Sequence, residues 1–389
     1  MYYTVKRTHV LIWLWGIYQT KKGQVRKMFF YMPTKVYSEE QCVKRHGSEL
    51  AALGEKALLV TGRHSARSNG SLKDVEEALE SNGTGYILFD EIEENPSMET
   101  IMRARDLGIV QGADFVVGIG GGSPMDAAKA IALMMRHPDQ DMDYLYQKGV
   151  DSSACPVVEI PTTCGTGSEV TPYAILTIHA KRTKSSISHK IYPSLALADP
   201  GYLKFAPESV LQSTAIDALG HFLESYLNSN ATDYSRMLVR GGMRIWSKFR
   251  DVLDRKRELI EEDYQEMLNA ATLGGMAITH TGTSLPHGLS YYVTYEEKVA
   301  HGKAVGIFLP GYLKAADSQT SRELLELIGF QEIEEFRAYI GRVLGEVMMP
   351  EELRAQAVRG LLENAEKLKN CPFSVDERAL REIIEYSLD

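Results

Sequence analysis

Short unbroken apolar runs alternate with amphipathic stretches through the first half of the chain, and this alternation constrains the fold more than any other feature. Lys56–Gly62 (KALLVTG), Gly85–Phe89 (GYILF), Asp114–Gly120 (DFVVGIG) and Pro156–Ile160 (PVVEI) read as strands buried on both faces. Between them, Leu72–Leu79, a stretch from Met98 to Leu107 and another opening near Pro124 carry apolar residues at helical spacing. This order specifies parallel βαβ units, and so a doubly wound α/β domain. After Pro207 the texture changes. Ser209–Leu227, Asp233–Phe249, Glu258–Ala277 and Glu351–Leu368 all repeat with helical period, which predicts an all-helical second domain. The seam falls near Asp199–Pro207, where two prolines and a glycine lie close together. The predicted division is an α/β nucleotide-binding domain over 28–206 and a helical domain over 207–389. The charged stretch Arg250–Glu266 reads as a solvated helix face.

Residues 1–27 fit neither domain. Val10–Tyr18 is apolar between basic flanks, less than half of the roughly 20 residues a spanning helix needs. A signal peptide is the sharper alternative, but Gln19, Thr20, Lys21 and Lys22 follow in place of a small-residue cleavage site. The segment reads as an appendage, translated upstream of a start at Met28. The net charge of -9 leaves no basic stripe for phosphates, which argues against a nucleic-acid partner. Cys42, Cys155, Cys164 and Cys371 form no CxxC pair, so neither a disulfide framework nor a thiolate zinc site is indicated. A reducing cytoplasm, away from membranes, fits best.

Two turns carry the candidate chemistry of the first domain. Gly118–Asp126 (GIGGGSPMD) follows a strand and opens a helix, the setting in which free N–H groups and a close backbone approach bind phosphate. Pro124 is placed at the second helical position, where it costs no hydrogen bond. Ser123 stands where the GxGxxG fingerprint has its third glycine, so the ordinary Rossmann pattern is not met. Pro161–Glu169 (PTTCGTGSE) follows the next strand with four hydroxyls and two glycines, an anion or ribose cradle. Its bland alternative is a helix start capped by Thr166 or Ser168.

In the helical half, Asp217 and His221 stand at i and i+4 and share a helix face. His287 and His301 each precede a glycine. One carboxylate and three imidazoles suit a divalent ion, iron or zinc, without thiolates. Spacing alone leaves a salt-bridged helix and two ordinary helix-end histidines as an equal alternative.

Taken together these segments resemble the iron-containing (group III) alcohol dehydrogenase family. The resemblance runs through Phe29–Thr34 (FFYMPT), GGGSPMDAAK (120–129), PTTCGTGSEVT (161–171), ALADP (196–200), AIDALGHFLESY (215–226) and PHGLSYYVTYEEKVAHGKAVGIFLP (286–310), to Asn370-Cys371-Pro372. It implies an α/β nucleotide domain, an all-helical domain and a divalent metal, Fe2+ or Zn2+, in the cleft between them. It further implies Asp217, His221, His287 and His301 as metal ligands. Gly121, Gly122, Ser123, Asp126, Thr162, Thr163, Thr166 and Lys184 would surround the dinucleotide, with Asn95 close by. The implied reaction is reversible hydride transfer between a nicotinamide and a small alcohol or aldehyde, in a homodimer.

Two positions depart from the family's pattern. Where many members carry a second histidine four residues after the third ligand, this chain has Tyr291, so a tyrosine or solvent must serve any proton relay. Where NAD-preferring relatives often have Asp after the first strand's Thr, this chain has Gly62, followed by Arg63, His64 and Arg67. A carboxylate there would hydrogen-bond the ribose 2′-OH and repel a 2′-phosphate, so NADP(H) is the expected cofactor, with NAD second. Arg63, Arg67 and Lys184 are the cations expected to meet its phosphates. Dehydroquinate synthase-like and glycerol or polyol dehydrogenase-like enzymes, or a non-catalytic metalloprotein, are the competing readings of the same two-domain plan. The aromatic run Leu289, Tyr291, Tyr292, Val293 and Tyr295 speaks against the first of these.

Overall fold

The structure, a computed structural model, describes residues 28–181 and 183–389. The 1–27 appendage therefore lies outside the described residues. Strands β1 (Lys35–Ser38), β2 (Lys56–Thr61), β3 (Gly85–Phe89), β4 (Phe115–Gly120), β5 (Val157–Pro161), β6 (Ile175–Ile178), β7 (Thr183–Ser186) and β8 (Leu195–Ala198) build two sheets. Six form one parallel sheet in the order β1-β8-β5-β4-β2-β3, while β6 and β7 pair as an antiparallel ribbon. Side chains alternate through the sheet. Leu58, Val60 and Val116 enter the core under helices α2 (Met98–Gln111) and α3 (Gly122–Arg136). Ala57, Leu59 and Val117 enter the opposite core, under α1 (Ser71–Ser81). Burial on both faces explains the unbroken apolar runs, each such side chain contributing about 1.5–3 kcal/mol. The chain leaves β2 for β3 on one side and returns to β4 on the other. The strand order thus reverses between β2 and β4, the place where open α/β sheets bind ligands.

The second domain is all helix: α4 (Glu208–Tyr226), α5 (Asp233–Leu253), α6 (Glu261–Thr281), α7 (Leu285–Glu296), α8 (His301–Gly306), α9 (Leu309–Ala315), α10 (Ser318–Ile328), α11 (Ile333–Leu344), α12 (Glu351–Leu362), α13 (Ala365–Asn370) and α14 (Glu377–Leu388). Helix α4 is buried all round from Ala215 to Tyr226, so its polar residues must find partners inside the protein. No described helix is long and apolar enough to cross a membrane.

Several local expectations are corrected. Arg250–Glu266 is not one solvated helix face: α5 stops at Leu253, Arg255 takes a left-handed φ of 55°, and α6 begins at Glu261. The charges there build the turn. Arg257 donates to both oxygens of Asp263 (2.6 and 2.5 Å), and Asp263 also accepts from the Ile260 N–H at 2.9 Å. Pro124 is the third helical residue rather than the second, still among the four N–H groups that no intrahelical acceptor awaits. The Glu351–Leu368 stretch is two helices, broken between Leu362 and Ala365. The edge strand β1, the strand β8 and the β6–β7 ribbon are too short, at four residues each, to show in a periodicity reading.

Candidate active site

A cleft of about 1200 Å³ runs between the strand ends and the helical domain. Its first wall is mostly backbone. Gly62 follows β2, Gly121-Gly122-Ser123 follow β4, and Thr163 and Thr166 follow β5; all six line the cleft. The two turns are pressed together: a Cβ on Gly121 would meet Thr163 at 3.2 Å, and one on Gly122 would meet Thr166 at 2.7 Å. Gly167, at φ +59°, lies so close to α6 that a Cβ would fall 2.6 Å from Gly275 Cα. Gly165 packs as tightly on Thr214 of α4. The threonine-rich turn is therefore the joint through which the sheet meets the metal-candidate helix.

Asn95 holds this wall together. At φ 59° its N–H donates to Ser123 Oγ (3.0 Å), its carbonyl accepts from Thr177 Oγ1 (2.8 Å) and its Oδ1 accepts from Lys184 Nζ (2.9 Å). Asp126 reaches the cleft, but Ser168 Oγ (2.5 Å) and the Ile175 N–H (2.8 Å) occupy both its oxygens, which makes it a brace. Thr162 is not brought to the cleft. Its N–H donates to Gly120 O at 2.9 Å, extending the ladder by one residue, and its side chain is buried while Thr163 faces the opening.

The second wall is built from buried charge. Asp217 and His221 lie on α4, His287 near the start of α7 and His301 at the start of α8. His221 Nε2 and His287 Nε2 face each other at 3.0 Å. Asp217 Oδ1 is 3.5 Å from His287 Nε2 and 3.8 Å from His301 Nε2, and it has no hydrogen-bond partner. Ligands 2.0–2.2 Å from one tetrahedral ion stand about 3.4 Å apart, so these spacings fit a common centre. A buried carboxylate oxygen with no donor, aimed at ring nitrogens that aim at one another, is chemically incomplete without a cation. The donor set therefore fits a divalent ion.

Glu224 completes the cluster and was not singled out in the sequence. Its carboxylate accepts from His287 Nδ1, from the Ser284 N–H (2.7 Å) and from the His287 N–H (3.3 Å). Holding Nδ1 leaves Nε2 to face the centre. Asp217, His221 and Glu224 fall at i, i+4 and i+7, one face of α4, and that spacing was the available signal.

Burial drives His221 down to about 4 and His301 to about 3, so both rings are neutral and offer lone pairs. Burial opposes charge on His287 as well, yet Glu224 and Asp217 raise it to about 9. Burial pushes the Asp217 carboxyl up, but His221 and His301 hold it well below the usual range. The carboxylates that keep a proton on His287 are those that would hold a metal cation in its place.

Tyr291 lies beside this cluster, its ring centre 6.5 Å from that of His301. Burial raises its phenol above the ordinary range. Lys184 Nζ stands 5.6 Å from the Tyr291 ring centre, and burial lowers it to about 8. Lys184 thus spans from Asn95 in the glycine wall to Tyr291 beside the metal-candidate cluster. Of the other cations expected near the nucleotide, Arg67 already pairs with Asp90 at 2.8 Å, while Arg63 is exposed.

Comparison with known proteins gives two family matches. Residues 33–200 match the model "Iron-containing alcohol dehydrogenase", and residues 212–370 match "Fe-containing alcohol dehydrogenase family, C-terminal". The chain is 32% identical over 273 residues to a long-chain primary alcohol dehydrogenase of Thermoanaerobacter ethanolicus, covering 69% of this chain and 68% of the relative. It is 29% identical to an NADPH-dependent butanol dehydrogenase of Clostridium saccharobutylicum, covering 69% and 70%. The crystal structure of an iron-containing alcohol dehydrogenase from Thermotoga maritima superposes with a TM-score of 0.86 at 36% identity, covering 93% of this chain and 99% of that one.

Proposed function

From the premise that the chain belongs to the iron-containing alcohol dehydrogenase family, and is thus an oxidoreductase acting on alcohols, we propose that it exchanges a hydride between NADP(H) and a small alcohol or its aldehyde. Membership sets aside a phosphate-releasing synthase and a non-catalytic metalloprotein. The observation that carries the reading is the convergence of Asp217 Oδ1, His221 Nε2 and His287 Nε2, within 4.8 Å of one another, opposite a backbone cradle at the strand ends. Asp217, His221, His287 and His301 would hold Fe2+, with Zn2+ the alternative. When bound, the ion supplies Lewis acidity at the substrate oxygen and the dinucleotide supplies the hydride acceptor or donor.

The chain's own residues do the rest. Glu224 fixes the His287 tautomer. The Gly121–Ser123 turn and the N-terminus of α3 present N–H groups to a pyrophosphate. Burial keeps the Tyr291 phenol neutral, so it walls the pocket as an uncharged ring and could pass a proton only through its O–H, not as a phenolate. Lys184, at about 8, is the cleft group best placed to exchange one with solvent. The preference for NADP(H) is supported by Gly62, which offers no carboxylate to a ribose, and by exposed Arg63 and His64 beside it.

The test is to load the purified protein with Fe(II) or Zn(II) and follow NADPH and NADH oxidation over a panel of short aldehydes. Turnover with either nucleotide that requires the metal is the expected result. Absence of turnover across the panel overturns the proposal.

A further inference from the structure

Among the cations that line the cleft, one stands beside the metal-candidate cluster without belonging to it. Lys367, on α13, lines the cleft, and its Nζ stands 5.7 Å from the Tyr291 ring centre. Lys184 approaches the same ring at 5.6 Å, so the tyrosine beside His301 is attended by two ammonium groups. Lys367 donates to Thr283 Oγ1, and among the described residues no carboxylate pairs with it. Its neighbour Glu366 is exposed and makes no ion pair with it, while Glu224 is engaged with His287.

The position is built. Gly288, the residue after His287, has no side chain where Lys367 Cγ and Leu361 Cδ1 approach: a Cβ there would lie 3.6 and 2.6 Å from them. Gly360 likewise clears space for the Tyr292 ring, whose Cζ would be 2.8 Å from a Cβ. Gly288 seats the stem of Lys367 against the metal-candidate helix α7, and Gly360 lets α12 close on the same helix. A half-buried ammonium whose hydrogen bond goes to a hydroxyl, with Glu224 acting on it only through space while committed to His287, is a poor ending for a pocket that takes neutral alkanols. It is a good ending for a pocket that receives a negative group.

We propose that Lys367, with Thr283, binds the carboxylate of the substrate, so that the enzyme acts on short hydroxy acids and the matching oxo acids in preference to neutral alcohols and aldehydes. This deepens the alcohol dehydrogenase reading and rests on it. After its bond to Thr283 Oγ1 the ammonium keeps two N–H donors and the hydroxyl offers one more, enough to engage both oxygens of a carboxylate. The carbinol or carbonyl end of the substrate then lies toward the metal cluster, and Tyr291 forms the wall between the two ends.

The experiment compares succinate semialdehyde with butanal as substrates of the metal-loaded enzyme and its favoured nucleotide, in wild type, Lys367→Gln and Lys367→Arg. Succinate, which cannot be reduced, serves as a competitive inhibitor and reports binding without turnover. We expect wild type to favour the semialdehyde, and K367Q to lower the semialdehyde-to-butanal ratio of kcat/KM by about 30-fold, as loss of a charge-assisted hydrogen bond would. That change should appear mainly in the KM for the semialdehyde, with succinate inhibition weakened in parallel and K367R recovering part of both. A wild-type enzyme that favours butanal, or a ratio unmoved by K367Q, overturns this inference while leaving the alcohol dehydrogenase reading standing. Failure of both aldehydes and of all simple alkanols overturns the reading and the inference together.

Discussion

The two walls of the cleft are built on opposite principles. The α/β wall is made of glycines, hydroxyls and N–H groups, and its shape comes from backbone brought close where side chains are absent, as at Gly121, Gly122 and Gly167. The helical wall is made of ionisable side chains taken out of water, Asp217, His221, Glu224 and His287, each 0–4% exposed. A backbone wall recognises a ligand by geometry and loses little when one contact is lost. A wall of buried charge is interdependent, because removing one member leaves its partners unpaired. The helical wall should therefore be the brittle one.

The hardest blow to that contrast is His221→Ala. It removes one of two facing Nε2 atoms, so bound metal should be lost on gel filtration and turnover should fall on the order of 10³-fold, with nucleotide still binding to the opposite wall. Metal analysis and nucleotide titration check both halves; a fully active, metal-free H221A would break the assignment. Glu224→Gln is milder. The substituted amide can still accept from His287 Nδ1 but no longer carries charge, and metal affinity should weaken about 10–100-fold. A competitive chelator titration measures this, and an unchanged affinity would mean that Glu224 serves only the backbone N–H groups of Ser284 and His287.

Why one wall was legible in the sequence and the other only partly so follows from the same contrast. The glycine and threonine turns are contiguous, and each directly follows a strand whose apolar run marks its end, so motif and place came together. The helical site draws on α4, α7 and α8, and periodicity says nothing about which helices meet. Asp217 and His221 showed because they share a face of one helix; His287 and His301 stood beside them as candidates with an ordinary helix-end reading equally open, and only the resemblance tipped that balance. Glu224 was passed over although it lies on the same face. Lys367 carries no local pattern, and its place depends on Gly288 and Gly360 letting helices approach. Thr162 was placed in the cradle because a motif does not reveal which way alternate side chains point.

A smaller test concerns the backbone wall. Gly62→Asp puts a carboxylate at the end of β2, where a Cβ would lie 3.3 Å from Ile92 O and the chain must give slightly. If this wall reads nucleotides through what is missing at Gly62, the NADPH-to-NADH ratio of kcat/KM should move several-fold toward NADH, while metal content stays unchanged. An unmoved ratio would shift discrimination to Arg63 and its neighbours.

The smallest effect probes one of the carboxyls hidden behind the glycine wall. Glu159 on β5 is fully buried, both its oxygens lack partners, and it fills the space left by Gly118 on β4. Nearby Lys129 donates instead to Ser168 O and Oγ (both 2.6 Å) and to Tyr173 O (3.0 Å). Burial raises Glu159 well above its ordinary 4.5, partly offset by Lys129, with Asp126 and Glu169 adding to the rise. Above pH 4.5 the unfolded chain has released this proton while the folded protein still holds it, so the native state binds more protons and stability falls as pH rises toward the folded value. Glu159→Gln removes that slope. Its melting temperature should match wild type near about pH 4 and exceed it by a few degrees near about pH 8. Asp126 and Glu169 are raised by burial too and keep their own share of the slope in the variant. Melting curves that stay parallel across this range would mean that Glu159 is ionised in the fold, and that the glycine wall, like the helical one, rests on buried charge.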